Sequence, residues 1–203
     1  MIETIRFTPP WLVAAKGGAG AKPKKQASAL PVFILRAGSI IERDQFEAEL
    51  EGRYAAGMVM NFQLLEAAVS GVRALLGEDG GEIEELLRAD FAASTGGEAD
   101  QLGAQDRAKL KTATEILTRS WPDYAALVER EAQRNALLPT LAFVRWCEGW
   151  ENVTDREGQP LAFTRSALGD VPDAVLRALD FTVLRAAGME AYRLQYGRSH
   201  AKN

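Results

Sequence analysis

The chain has 203 residues, 47% hydrophobic and 26% charged, the balance of an ordinary soluble globular protein, with length for one domain or two small ones. Its 24 basic and 28 acidic side chains leave a formal charge of -4, which argues against nonspecific nucleic-acid binding, because that needs a basic surface to neutralise phosphates. The single Cys147 excludes an intrachain disulfide, and the single His200 falls short of the roughly four ligands a zinc site takes.

The opening M-I-E-T-I-R-F-T-P-P-W lacks the apolar core of a signal peptide. No apolar run nears the ~20 residues of a membrane span, so a cytoplasmic protein is expected. Thr4 to Phe7 alternates polar and apolar and predicts a short strand stopped by Pro9 and Pro10. Residues 16–27, rich in Gly, Ala and Lys, read as a flexible basic loop. Lys22, Lys24 and Lys25 cluster there, either simply solvated or forming an arm that orders on a partner. The run Val32-Phe33-Ile34-Leu35 predicts a buried strand that pairs with the first as a hairpin. Ser39-Ile40-Ile41-Glu42 is a capping box opening a helix to about Leu50, with Ile41, Phe46 and Leu50 near one face.

Asn61 is the expected N-cap of the next helix. Leu64, Leu65, Ala68, Val69, Val72, Leu75 and Leu76 give it an apolar stripe, and Gly77 stands at its C-cap. A shorter helix is predicted over Glu82 to Ala92, then a loop over 94–103. Another helix follows with Leu110, Thr114, Leu117 and Trp121 on one face. Pro122 and Pro139 each read as the first turn of a new helix, the first ending near Asn135 and the second carrying Phe143, Trp146 and Cys147. Trp146 and Trp150 are four apart, on one face if that helix continues. That pair reads either as a core stripe or, since Trp is enriched at interface hot spots, as a partner-binding patch. A turn-rich stretch leads to Phe163, and Ser166 is a candidate cap for a short turn. Pro172 opens a last helix with Val175, Leu176, Leu179, Val183, Leu184 and Ala187 on one face, which Gly188 ends or interrupts.

The fold expected is mainly α: a multi-helix globular domain with a small N-terminal β-hairpin. Residues 1–52 hold the hairpin, its basic loop and the first capped helix, and 53–203 hold the helical body, most simply as one continuous domain. No phosphate-binding glycine motif is present, because Gly17-Gly18-Ala19-Gly20 does not join a buried strand to a helix. Serine or cysteine triads would need His200 near the chain end. Carboxylate pairs such as Glu42 with Asp44, Glu84 with Glu85 and Glu148 with Glu151 read as surface charge, since nothing in their spacing separates their pKa values. The expectation is a protein that is not an enzyme, with no catalytic residues, no metal and no cofactor.

Two segments, P-V-F-I-L-R-A-G-S-I-I-E-R-D-Q-F-E-A-E-L over Pro31–Leu50 and W-E-N-V-T-D-R-E-G-Q-P-L-A-F onward over Trp150–Leu184, resemble the tail assembly chaperones of long-tailed bacteriophages. They cover about a third of the chain. The basic segment 16–27 and the long middle have no counterpart. The resemblance implies a small, mainly helical protein of the host cytoplasm that binds the phage tape-measure protein and helps recruit the tail-tube protein. It implies no nucleic acid, no membrane and no catalysis, and is compatible with a homo-oligomer. Trp146, Trp150, Phe163, Lys22, Lys24 and Lys25 are the candidate partner-binding residues. A structural virion component, such as a neck or baseplate adaptor, and a host-directed phage inhibitor are the alternatives.

Overall fold

The computed structural model describes residues 3–16, 29–96, 102–166 and 169–196. They form a mainly α protein with one three-stranded antiparallel sheet. The chain divides into two compact units that do not follow chain order: residues 1–47 with 135–202, and residues 48–134. The crossings fall inside helices α2 (Ile40–Gly52) and α6 (Pro122–Trp146).

The first unit is built on the sheet β1 (Thr4–Phe7), β2 (Val32–Arg36) and β3 (Cys147–Glu151), with β2 central. The expected hairpin is present, with Thr4 opposite Arg36 and Phe7 opposite Phe33. Between its strands lies helix α1 (Pro10–Lys16). The third strand replaces the expected continuation of a helix beyond Cys147. Leu35 pairs with Cys147 across an irregularity in register. Trp146 and Trp150 therefore do not share a helix face: Trp146 ends α6 and Trp150 sits in β3.

Strand alternation gives the sheet a buried face, with Phe33 and Leu35 fully enclosed. Phe143 and Trp150 both meet the Phe33 ring edge-on, at 5.7 and 6.2 Å between centroids. The other face carries charge. Arg6 of β1 reaches across β2 to Glu151 of β3, and Arg36 holds Glu42 at 2.7 Å and Glu148 at 3.3 Å.

The capping box forms as expected: the Glu42 N–H donates to Ser39 Oγ at 3.2 Å, and the Ser39 N–H donates to the Glu42 carboxylate at 2.8 Å. Ile41 departs from its expected place and is exposed, because it lies about 140° round the helix from Phe46, whereas Leu50 lies only about 40° away.

Helix α6 is continuous through Pro139, where the sequence suggested two helices. Pro139 removes one intrahelical hydrogen bond, but it is fully buried and lies against α8 (Phe181–Gln195) at Gly188. A Cβ at Gly188 would stand 1.9 Å from the Pro139 carbonyl oxygen. Gly188 is thus the point of closest approach between two helices, and α8 runs on through it. The last predicted helix is in fact two, α7 (Asp173–Ala178) and α8. Leu179 is extended, and Asp180 Oδ1 accepts from the Thr182 and Val183 N–H groups at 2.9 and 3.0 Å, so Asp180 caps a new start. At the far end of α8 the buried Gln195 accepts from the Gly38 N–H and donates to the Arg36 carbonyl.

The second unit is helical: α3 (Asn61–Leu76), a short 3-10 turn over Gly77–Gly80, α4 (Gly81–Ser94), α5 (Ala104–Ser120) and the first half of α6. Met60, not Asn61, takes the N-cap place of α3, and its N–H donates to Gln63 Oε1 at 2.9 Å. Gly77 has φ +58°, the left-handed region glycine adopts without strain, and its N–H closes α3 on the Arg73 carbonyl. Ala68, Val69, Val72, Leu87 and Leu117 form the core, with Leu65, Ile83, Leu110, Trp121 and Tyr124 packed round it. Arg134, 7% exposed, donates to the Ala56 carbonyl, and Gln133 to that of Tyr54. These bonds hold the loop that precedes α3 against α6.

Candidate functional site

The apolar stripe of α3 outruns its core. Ala68, Val69 and Val72 are buried, but Leu75 and Leu76, expected in the same stripe, are 44% and 48% exposed. Opposite them, α5 carries two apolar stripes. Leu110 and Thr114 turn toward the region of Tyr124, while Ala108, Ala113, Ile116 and the buried Leu117 turn toward Leu75 and Leu76. Ile83 at the start of α4 closes the space between them. The result is a groove of about 510 Å³ within the second unit. Ile116 on its wall is 50% exposed.

Its polar lining is sparse: Gln105, Lys109 and Thr112. The Thr112 hydroxyl donates to the Ala108 carbonyl within α5, so it asks nothing of an occupant. The Lys109 ammonium is bound to Glu82 at 2.5 Å, and this hydrogen bond raises its pKa. From Gln105 to Ile116 the groove follows α5 for about 16 Å, three helical turns. Such a surface offers shape and apolar area rather than proton transfer. Covering three half-exposed side chains of this size is worth about 3 kcal/mol from this side alone. Association itself costs several kcal/mol, so an occupant would have to add apolar area of its own.

No protein-family model, curated protein or solved structure matches the chain.

The candidate residues read from the sequence lie elsewhere. Trp146 is 1% and Trp150 9% exposed. Trp146 packs on Phe46 at 4.6 Å between centroids, and Trp150 lies edge-on to Phe163 at 4.7 Å and donates its indole N–H to the Leu161 carbonyl at 2.7 Å. Phe163 is half-buried, with the Arg165 guanidinium over its ring. The structure thus gathers Trp150 and Phe163 into one aromatic cluster with Phe33 and Phe143, and gives Trp146 a separate place in the core of the first unit. Lys22, Lys24 and Lys25 lie outside the described residues. Glu148 and Glu151, three apart in sequence, are each taken by an arginine, Arg36 and Arg6. Burial pushes the Cys147 thiol up to about 12. Burial also raises Tyr196, whose hydroxyl shares the Glu47 carboxylate with Tyr192.

Among the described residues no group of three or more His, Cys, Asp or Glu side chains is placed to hold a metal ion, and no helix is long and apolar enough to cross a membrane. Leu75, Leu76, Ile83 and Ile116 are the site residues that sequence reasoning missed. The doubled Leu75-Leu76 before Gly77 and the second stripe Ala108, Ala113, Ile116 on α5 are the signals that mark them.

Proposed function

We propose that this chain is a non-catalytic phage tail assembly chaperone that binds the tape-measure protein and assists tail-tube assembly in the host cytoplasm. The observation that carries its protein-binding part is the apolar groove between α3, α4 and α5, with Leu75, Leu76 and Ile116 about half exposed on its walls. A helical client laying one apolar ridge along three turns of α5 fits that surface. The naming of the client rests on the resemblance of Pro31–Leu50 and Trp150–Leu184 to tail assembly chaperones.

The test is co-expression of the chain with the tape-measure protein of the same genome, with purified virions probed alongside. The expected result is a tape-measure protein that stays soluble only with the chain, loses that solubility with Ile116→Asp, and leaves virions free of the chain. A fixed stoichiometry in virions would make it a structural component. A host protein as the main partner, with the tape-measure protein unaffected, would make it an inhibitor.

A further inference from the structure

We propose that a second cleft, between the first half of α3, the second half of α4, α5 and the start of α6, binds a small organic cation: a primary ammonium on an aryl or branched-alkyl body, with Asp90 as its counter-charge. This cleft shares no lining residue with the groove along Leu75, Leu76 and Ile116, and the proposal stands apart from the chaperone reading. It encloses about 280 Å³, close to the lower end for ligand pockets. Leu64, Leu87, Phe91 and Leu110 give it an apolar floor.

Two polar side chains of its lining are already committed. The Ser94 hydroxyl donates to the Phe91 carbonyl and the Thr114 hydroxyl to the Lys111 carbonyl, each within its own helix. Asn61, Asp90 and Tyr124 are not. They come from α3, α4 and α6, and none of their side chains has a hydrogen bond or ion pair with another described residue. Asp90 is the charged group among the described lining residues, and no lysine or arginine lines the cleft with it. It lies near the C-terminal end of α4, where the helix dipole also favours positive charge. Asn61 opens α3, whose N-terminal end repels a cation, so the ammonium belongs at the Asp90 end. Burial raises the Tyr124 hydroxyl and the charge of Glu131 adds to the rise, so Tyr124 brings a hydrogen-bonding group and no charge. An apolar body on the floor with its ammonium at Asp90 is therefore favoured, and an anion of the same shape is opposed.

The experiment is a titration of the full chain with phenethylammonium, with phenethyl alcohol and phenylacetate as its uncharged and anionic counterparts. Leucine methyl NMR shifts locate the ligand, Leu64 and Leu110 reporting this cleft and Leu75 and Leu76 the groove. Expected is a saturable shift at Leu64 and Leu110 with a Kd of about 1 mM for the amine, ordinary for so small a ligand. Asp90→Asn should weaken the amine roughly fivefold, the upper end for an exposed ion pair, down to the affinity of the alcohol. Asp90→Glu should keep most of the binding. Asp90 is exposed, so both variants keep their fold, which circular dichroism checks. An alcohol or carboxylate that binds the native chain as well as the amine does, or an amine affinity unchanged by Asp90→Asn, would overturn the charge assignment. Shifts confined to Leu75 and Leu76, or no saturable shift with any probe, would overturn the site itself.

Discussion

Replacing Gly188 by alanine tests the packing of the first unit. In an exposed helix interior this change stabilises by about 0.5–1 kcal/mol, because alanine loses less backbone freedom. Here the added carbon would stand 1.9 Å from the Pro139 oxygen, 2.6 Å from its carbonyl carbon and 3.0 Å from its Cα. Normal contact needs about 3.5 Å, and all three atoms are backbone of α6, so no side-chain rotation relieves the clash. The helices must part by about 1.5 Å, and a gap of even 0.5–1 Å forfeits a quarter to a half of each dispersion contact along the seam. The buried Leu184, Ala187 and Ala191 lie along α8 on either side of Gly188. Overpacking of this kind costs ~4 kcal/mol, at or beyond the upper end of the usual range, and the helix-propensity gain returns about 1, leaving a loss of about 3 kcal/mol. In urea, at about 2 kcal/mol per M, the midpoint falls by roughly 1.5 M. Tryptophan fluorescence follows the transition. Gly52→Ala is the control, since nothing lies within 4 Å of a Cβ there. A Gly188→Ala midpoint equal to or above that of the native chain would refute the α6–α8 contact.

Glu42 is held down to about 2, first by its hydrogen bonds to Arg36. A carboxylate depressed on folding stabilises fully above its unfolded value near 4.5, and that share is lost as pH falls from about 4.5 to 2. Glu42→Gln should cost about 1–2 kcal/mol at pH 7 and flatten the acid limb of a stability–pH curve, which urea titrations at several pH values would read. Cys147, with its thiol at about 12 and fully buried, should resist a disulfide reagent at pH 8 in the native chain and react fully in denaturant; fast native labelling would contradict its burial. Asp180→Ala should cost about 1 kcal/mol by uncapping α8, with Asp180→Asn recovering most of it, and a thermal melt of each variant measures both.

Local chemistry was the legible part of this fold. Ser39 and Glu42 announce their helix because a capping box is complete within four residues, and Val32–Leu35 announces a strand by composition alone. The Cys147–Glu151 strand could not be read, because C-E-G-W-E holds a glycine and two glutamates and becomes a strand only by pairing with β2, far away in sequence. Pro139 looks like a helix start until Gly188 is seen to fit against it. Asp180 held a readable N-cap, yet the apolar period across Leu179 hid it. The groove was half visible. The α3 stripe showed in full, but periodicity cannot distinguish an apolar residue that is covered from one that is not, and Leu75 and Leu76 are not.

The discontinuous first unit has a consequence during synthesis. β1 and β2 leave the ribosome early, but β3 is made only after the whole second unit. At cellular elongation rates each hundred residues takes roughly 5–20 s. Through that interval Phe33 lacks Trp150 and Phe143, Leu35 lacks its strand partner Cys147, and one edge of β2 stands open to other chains. Residues 48–134 are contiguous and have their own core, so they can fold as they emerge. A nascent chain stalled once residue 134 has cleared the ribosome, with a linker filling the exit tunnel in place of β3, should therefore protect the second unit from protease while leaving β2 open to cleavage.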